Sequence, residues 1–218
     1  MKPSRILFQS YSRRGLGHLM RGLNLARELR LLVPSVEMLF YIRSRSAAAL
    51  CGHDVRCFIE TDADGTAHWP DVLRSFAPDV VIYDTLLPKD PANEPMLATA
   101  RSVYIMRKSK AEKQQEIFDN PILDRVDLIL IPHTPQEFAY VIPPALKRKS
   151  VFVGPIVRSP DAASQQQLRK KYRIGLGDFL LTSTAGGADL RHRPNRFLRR
   201  CLPSTGGYTR PYRACGTW

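Results

Sequence analysis

Between Arg5 and Val153, short apolar runs alternate with helix-patterned stretches, and that alternation leaves few folds open. Val80-Val81-Ile82 and Leu128-Ile129-Leu130-Ile131 are apolar at successive positions. A strand with one wet face alternates apolar and polar residues, whereas an unbroken run suits a strand covered on both faces. Such strands, spaced by helices, are the βαβ units of a parallel sheet. The expected strands are Arg5–Ser10, Val36–Ile42, Asp54–Ile59, Asp79–Tyr83, Ser102–Met106, Val126–Ile131 and Ser150–Val153. The clearest helix is Leu19–Leu32, where Leu19, Leu23, Ala26 and Leu29 recur at helical spacing and Arg21, Asn24 and Glu28 take another side. Pro34 ends it. Shorter helices are expected at Asp71–Phe76, Pro95–Ala100, Lys110–Phe118 and Gln136–Tyr140. The fold class is therefore α/β.

A length of 218 residues admits one large domain or two small ones. The stretch Val153-Gly154-Pro155-Ile156-Val157-Arg158-Ser159-Pro160 is punctuated by Gly and Pro like a connector. A helix is expected at Ala163–Tyr172, then a fresh strand at Asp178–Thr184 that runs straight into Ala185-Gly186-Gly187-Ala188. The organisation expected is a first domain over 1–153, a linker and the start of a second over 154–189, and an aberrant, disordered tail over 190–218. That tail has seven arginines and no acid, and it shows no apolar periodicity. Its composition fits an out-of-frame ending that replaced the rest of the second domain better than it fits a functional basic arm.

The tail also dominates the charge. Without its seven arginines the formal +13 falls to +6 over residues 1–189, a balance that suits an anionic nucleotide, a phospholipid face or RNA about equally. The tail lacks the aromatic interleaving of a base-stacking surface, so nucleic acid is not an expected partner. No run of eighteen apolar residues occurs, and the start is too short in apolar residues for a signal peptide. Cys51, Cys57, Cys201 and Cys215 show no CxxC spacing and the five histidines are scattered, so a reduced, cytoplasmic chain without a zinc site is expected.

The strongest local signal is Gly15-Leu16-Gly17-His18-Leu19-Met20-Arg21-Gly22, set between the first strand and the first helix. Glycines there permit a tight turn and a close approach to a ligand, and a helix N-terminus offers free N–H groups to an anion. The helix dipole favours an uncharged histidine at that end, and ligands gather at the carboxyl ends of such strands, so His18 is a candidate general base. The plainer alternative makes Gly15 and Gly17 a βα turn with His18 capping the helix. Met20 stands where a dinucleotide motif needs its third glycine. Asp84, at the end of the fourth strand, reads as a solvated loop aspartate or helix cap, with orientation of His18 or contact with an acceptor as the alternative. Arg21 reads as a solvent-facing arginine, or else as a contact for an anionic ligand. Asp62-Ala63-Asp64 reads as a turn rather than a metal motif, and Arg107-Lys108-Ser109-Lys110 as wet surface that a phosphate-bearing acceptor could meet.

The run Gly15–Ala26 after Ile6-Leu7-Phe8 resembles the N-terminal signature of GT-B glycosyltransferases near family 28, including bacterial members with a GLGHxxR motif. It is also similar to a UDP-sugar hydrolase of the same fold. Phe76–Asp84, Val153-Gly154-Pro155 and Thr182–Ala188 follow in the family's order. The resemblance implies two Rossmann-like domains across a cleft, the first holding the acceptor and the second a nucleotide sugar, UDP-linked, as co-substrate. It implies inverting transfer with no metal and no resident cofactor. His18 would lie near the reacting centre, Gly15 and Gly17 near the donor phosphates, and Gly186 and Gly187 in the first donor-domain loop. The acceptor is open, a lipid-linked one included, which would put the protein on the inner face of the membrane. The later strands of a donor domain, its uridine pocket and its ribose-binding acid have no counterpart before Trp218, so the chain alone is expected to have little transferase activity. A nucleotide-sugar hydrolase and a non-catalytic binding half are the alternatives.

Overall fold

The computed structural model describes residues 4–10, 16–43, 48, 50–51, 55–61, 67–87, 99–158 and 161–175. Seven strands form one parallel sheet: β1 (Arg5–Gln9), β2 (Glu37–Ile42), β3 (Arg56–Ile59), β4 (Val80–Asp84), β5 (Arg101–Ile105), β6 (Leu128–Ile131) and β7 (Ser150–Phe152). Every pairing is parallel, in the order β3-β2-β1-β4-β5-β6-β7. Each of the seven strands expected between Arg5 and Val153 is present, with ends shifted by up to two residues. The helices are α1 (Gly17–Leu32), α2 (Trp69–Phe76), α3 (Ala111–Phe118), α4 (Ile122–Arg125), α5 (Pro135–Phe138), α6 (Pro144–Lys147) and α7 (Ala162–Tyr172). The short α4 and α6 carry too few residues to show a helical period. Gly15, the Asp62–Asp64 turn, most of the expected Pro95–Ala100 helix, the Asp178–Thr184 strand, Gly186, Gly187 and the 190–218 tail lie outside the described residues.

The central strands are buried on both faces, as their apolar runs suggest, while in β6 Leu128 and Leu130 are only partly buried. Ile6, Phe8, Met38, Phe40, Ile42, Ile82 and Ile105 form one cluster with Leu19 and Ala26 of α1. Leu7, Leu39, Tyr41, Val81, Tyr83, Tyr104 and Ile129 pack on the other side with Trp69, Val72, Leu73 and Phe76 of α2 and with Ile117, Ile122 and Phe138. Helices thus cover both sides of the sheet. The edge strands β3 and β7 are only partly buried, in keeping with their short length.

Two aspartates fasten the amino ends of the strands. Asp79, one residue before β4, accepts hydrogen bonds from the Ser4 hydroxyl (2.7 Å), the Ser4 N–H (2.7 Å) and the Arg5 N–H (2.9 Å). Asp127, one residue before β6, does the same for Ser102 N–H (2.7 Å) and hydroxyl (3.0 Å) and takes Arg101 at 3.2 Å. The Ser4 hydroxyl, and then the Ser4 and Arg5 N–H groups, hold the Asp79 carboxyl below the usual range. Burial pushes Asp127 up, but its bonds to Ser102 and Arg101 outweigh that and leave it lowered.

Close packing of α1 depends on Gly22. A Cβ at that position would stand 2.8 Å from Cε1 of Phe40 and 2.9 Å from the Ser10 hydroxyl. Phe40 stacks on Phe8 with centroids 4.4 Å apart and has little room to retreat. By contrast, Gly17 begins α1 with open space where a Cβ would go, so neither packing nor a left-handed backbone demands glycine there. Cys51 and Cys57 are joined in a disulfide, which corrects the expectation of four reduced thiols. Their six-residue separation matches no motif that would announce the pairing.

Gly22→Ala should destabilise the domain by about 1 kcal/mol in urea denaturation, an overpacking cost of about 1–3 kcal/mol partly offset by about 1 kcal/mol of helix propensity. A more stable variant would show that the Phe40 ring yields. For the two aspartates the folded carboxyls sit low, so their stabilisation is complete above the unfolded value of about 4 and is lost as pH falls through the lower folded values. Urea midpoints should therefore drop between pH 5 and pH 3, and a double Asp79→Asn, Asp127→Asn variant should show a clearly smaller drop. An equal drop would assign the acid sensitivity to other groups.

Candidate functional site

The strand order reverses between β1 and β4, because the chain winds outward from β1 toward β3 and then returns to lay β4 on its other side. In open parallel sheets the carboxyl ends at such a reversal form a crevice where ligands bind. Three elements meet there: the end of β1 with Gln9 and Ser10, the end of β4 with Asp84 and Thr85, and the first two turns of α1 with His18 and Arg21. Positions 18 and 21 lie one turn apart, so their side chains share a face of the helix.

That face meets Asp84. The carboxylate is buried, its side chain only 2% exposed, and three groups converge on Oδ1. Arg21 donates to it through Nη1, the Thr85 hydroxyl donates at 2.9 Å, and Nδ1 of His18 lies 3.1 Å away. The histidine contact has the distance of an ion pair without the alignment of a hydrogen bond. Neither solvated role expected from sequence survives: Asp84 is enclosed, and Arg21, 14% exposed, is its partner. The physical reason is that a carboxylate taken out of water needs a cation, and Arg21 is within reach. Burial lowers the Arg21 guanidinium from its ordinary value and Arg107 adds to this, while Asp84 opposes them.

The far side of the carboxylate is held by backbone strain. Thr85 has a φ of 69°, a left-handed conformation costly for a β-branched residue. Its N–H bonds to Ile105 O at 3.1 Å, and its carbonyl accepts the Tyr104 hydroxyl at 3.1 Å. Burial first, and then the Asp84 carboxylate, push the Tyr104 phenol well above its ordinary range, so it remains a donor.

His18 sits second in α1, and no side chain caps that helix, so the capping role is not what the structure shows. Its Nδ1 is buried, so the exposed part of the ring, whose side chain is 16% exposed overall, is elsewhere. An imidazole with one nitrogen against a buried carboxylate and the rest of the ring reaching the rim has the geometry of an oriented base. Asp84 Oδ2, Ser10 Oγ and Gln9 Oε1 are buried at the same rim and have no hydrogen-bond partner among the described residues. Gln9, Ser10 and Thr85 were invisible as site residues in the sequence. The one available signal was their place after apolar runs.

A second histidine–carboxylate pair was missed altogether. Glu60, fully buried after β3, accepts from the Tyr41 hydroxyl and from His68 N–H at 3.0 Å, and lies 2.8 Å from His68 Nδ1. These bonds fasten the start of α2 to the ends of β2 and β3. A groove of about 500 Å³ between β3 and α2, lined in part by Arg56, Phe58, His68 and Phe76, shares no residue with the Asp84 cluster. Among the described residues no three His, Cys, Asp or Glu side chains group as metal ligands, and no helix is long and apolar enough to cross a membrane.

No family model matches the chain, and no curated protein matches it in sequence. Among solved structures it is similar to CalG4, the calicheamicin glycosyltransferase, at 16% identity and TM-score 0.45, over 71% of this chain and 52% of that one. It is similar to the glycotransferase of kitacinnamycin at 19% identity and TM-score 0.49, over 74% and 54%. It is also similar to a UGT transferase from Siraitia grosvenorii in complex with UDP, at 10% identity and TM-score 0.50, over 77% and 54%. The chain thus spans about half the length of these structures. In fold it is a Rossmann-like parallel α/β domain, as found in GT-B glycosyltransferases.

Proposed function

We propose that this chain carries the acceptor side of a glycosyltransferase that moves a hexosyl group from a UDP-linked sugar to an acceptor hydroxyl. The observation that carries the reading is His18 Nδ1 at 3.1 Å from the buried Asp84 carboxylate, at the reversal point of a parallel sheet. The GLGHLMR run that places His18 there is also what relates the chain to family 28 in this reading.

The chemistry follows from that geometry. An acceptor hydroxyl gives its proton to Nε2 of His18 as its oxygen forms a bond to the anomeric carbon. The bond from that carbon to the donor diphosphate breaks on the opposite side, with inversion. Asp84 orients the ring and stabilises the imidazolium that forms, and Arg21 holds the Asp84 carboxylate in place. The departing diphosphate needs N–H donors and a helix dipole rather than a cation, a role for the Gly15–Gly17 segment and, on the donor side, for Gly186 and Gly187. Residues 154–189 are read as the linker and the beginning of that donor side.

The test is consumption of UDP-hexoses by the purified full chain, followed by mass spectrometry of the products with and without a panel of hydroxyl acceptors. Donor turnover is the quantity followed. His18→Ala should lower it about a hundredfold or more, the usual weight of a general base, and Asp84→Asn should lower it with circular dichroism unchanged. Wild-type rates in His18→Ala, or no consumption of any UDP-hexose by the wild type, overturns the proposal. Free sugar released without acceptor would replace transfer by hydrolysis.

A further inference from the structure

Beside the Asp84 cluster, on the same carboxyl rim, the ends of β5 and β6 carry a group of basic side chains that the proposed proton transfer does not use. Arg107 and Lys108 follow β5, and His133 follows β6. Arg107 is exposed and has no carboxylate partner among the described residues. Lys108 Nζ donates to the Glu137 carbonyl at 2.7 Å and lies 5.8 Å from the Tyr140 ring centre, so it too has no acid as a direct partner. The Glu137 carboxylate is engaged by Thr134, accepting its N–H at 2.9 Å and its hydroxyl at 3.1 Å. Arg21 closes the group on the Asp84 side.

The loop that presents these cations is fixed from beneath. Met106 N–H bonds to Leu130 O at 2.9 Å, Lys108 N–H donates to His133 Nε2 at 3.1 Å, and Ser109 N–H donates to Gln114 Oε1 at 3.1 Å. The Ser109 carbonyl accepts the Tyr140 hydroxyl at 2.8 Å. Gln114 is 1% exposed, and its Nε2 has no partner among the described residues. Helix α3 starts from the same loop without a side-chain cap. Because Nε2 of His133 is an acceptor, its ring proton is on Nδ1, and the imidazole is a further donor.

We propose that Arg107, Lys108 and His133, with Arg21 at their edge, form a subsite for a phosphoryl group carried by the acceptor. Two cations without acids as direct partners match a dianion, and a guanidinium pairs with phosphate oxygens in bidentate fashion. Burial lowers His133 from its ordinary value; Glu137 opposes this, and Arg107, Arg21 and Lys108 add to the lowering. All three cations therefore act on one ring, and a bound phosphoryl group would relieve that repulsion. Assigning the group to the acceptor rests on the sugar-transfer reading above; the anion site itself does not.

Inorganic phosphate is the probe. In ¹H–¹⁵N and imidazole NMR titrations of the full chain at constant ionic strength, phosphate should shift Lys108, Ser109 and His133 saturably and raise the pH at which His133 titrates. Arg107→Gln and Lys108→Gln should each weaken that binding about tenfold, the usual weight of a charge-assisted hydrogen bond, with thermal stability unchanged. Acetate at the same ionic strength should leave the signals in place. No saturable shift, equal shifts with acetate, or undiminished binding in both variants overturns the proposal. UDP shifting these signals more than phosphate would assign the cations to the donor and overturn the acceptor role. Saturable phosphate binding in a chain that consumes no UDP-hexose would leave the subsite standing while the sugar-transfer reading falls.

Discussion

A carboxylate buried at the end of β4 governs the carboxyl rim of this domain. Asp84 is shut away from water, and a charge in that position is retained only if it is met by a cation and by donors. The need is filled from three directions: Arg21 from α1, the Thr85 hydroxyl from a strained turn, and His18 from the helix N-terminus. Removing one partner from such a group typically costs about 3–5 kcal/mol, because the other charge is left buried alone. The position of α1 relative to the sheet is thereby tied to the chemistry. The helix cannot slide without uncoupling His18 and Arg21 from the same oxygen.

Gly22 makes that placement sterically feasible. The helix crosses the end of β1 so closely that a single methyl group would collide with Phe40 and Ser10. A glycine one position beyond Arg21 thus sets the depth at which His18 and Arg21 reach the rim. The glycines that drew attention in the sequence did so for their place before the helix. Gly17 has no packing reason to be glycine, while Gly22 has a strong one.

Most of the fold was written in the apolar runs. Val80–Ile82 and Leu128–Ile131 both form strands as their apolar runs suggest, though in the second only the Ile129 and Ile131 face is fully buried and Leu128 and Leu130 are partly covered. The His18–Arg21 spacing was readable because helical period is local. What local pattern does not carry is the company a side chain keeps across the fold. Asp84 and Arg21 are 63 residues apart, and each taken alone is an ordinary polar residue. The same holds for Tyr41, Glu60 and His68, which come together from β2, β3 and the start of α2.

Because all seven strands point one way, the sheet has two unlike rims. At one rim Asp79 and Asp127 each staple neighbouring strands by binding N–H groups, and their exposure lets solvent share the work. At the other, Asp84 is sealed in and its partners are side chains that can take part in chemistry. A variant library of this domain would accordingly sort by depth along the strand axis, with changes near strand starts altering how firmly the protein holds together and changes near strand ends altering what it can do. The polarity of the polypeptide chain, repeated across seven parallel strands, is what gives the two rims their different surroundings.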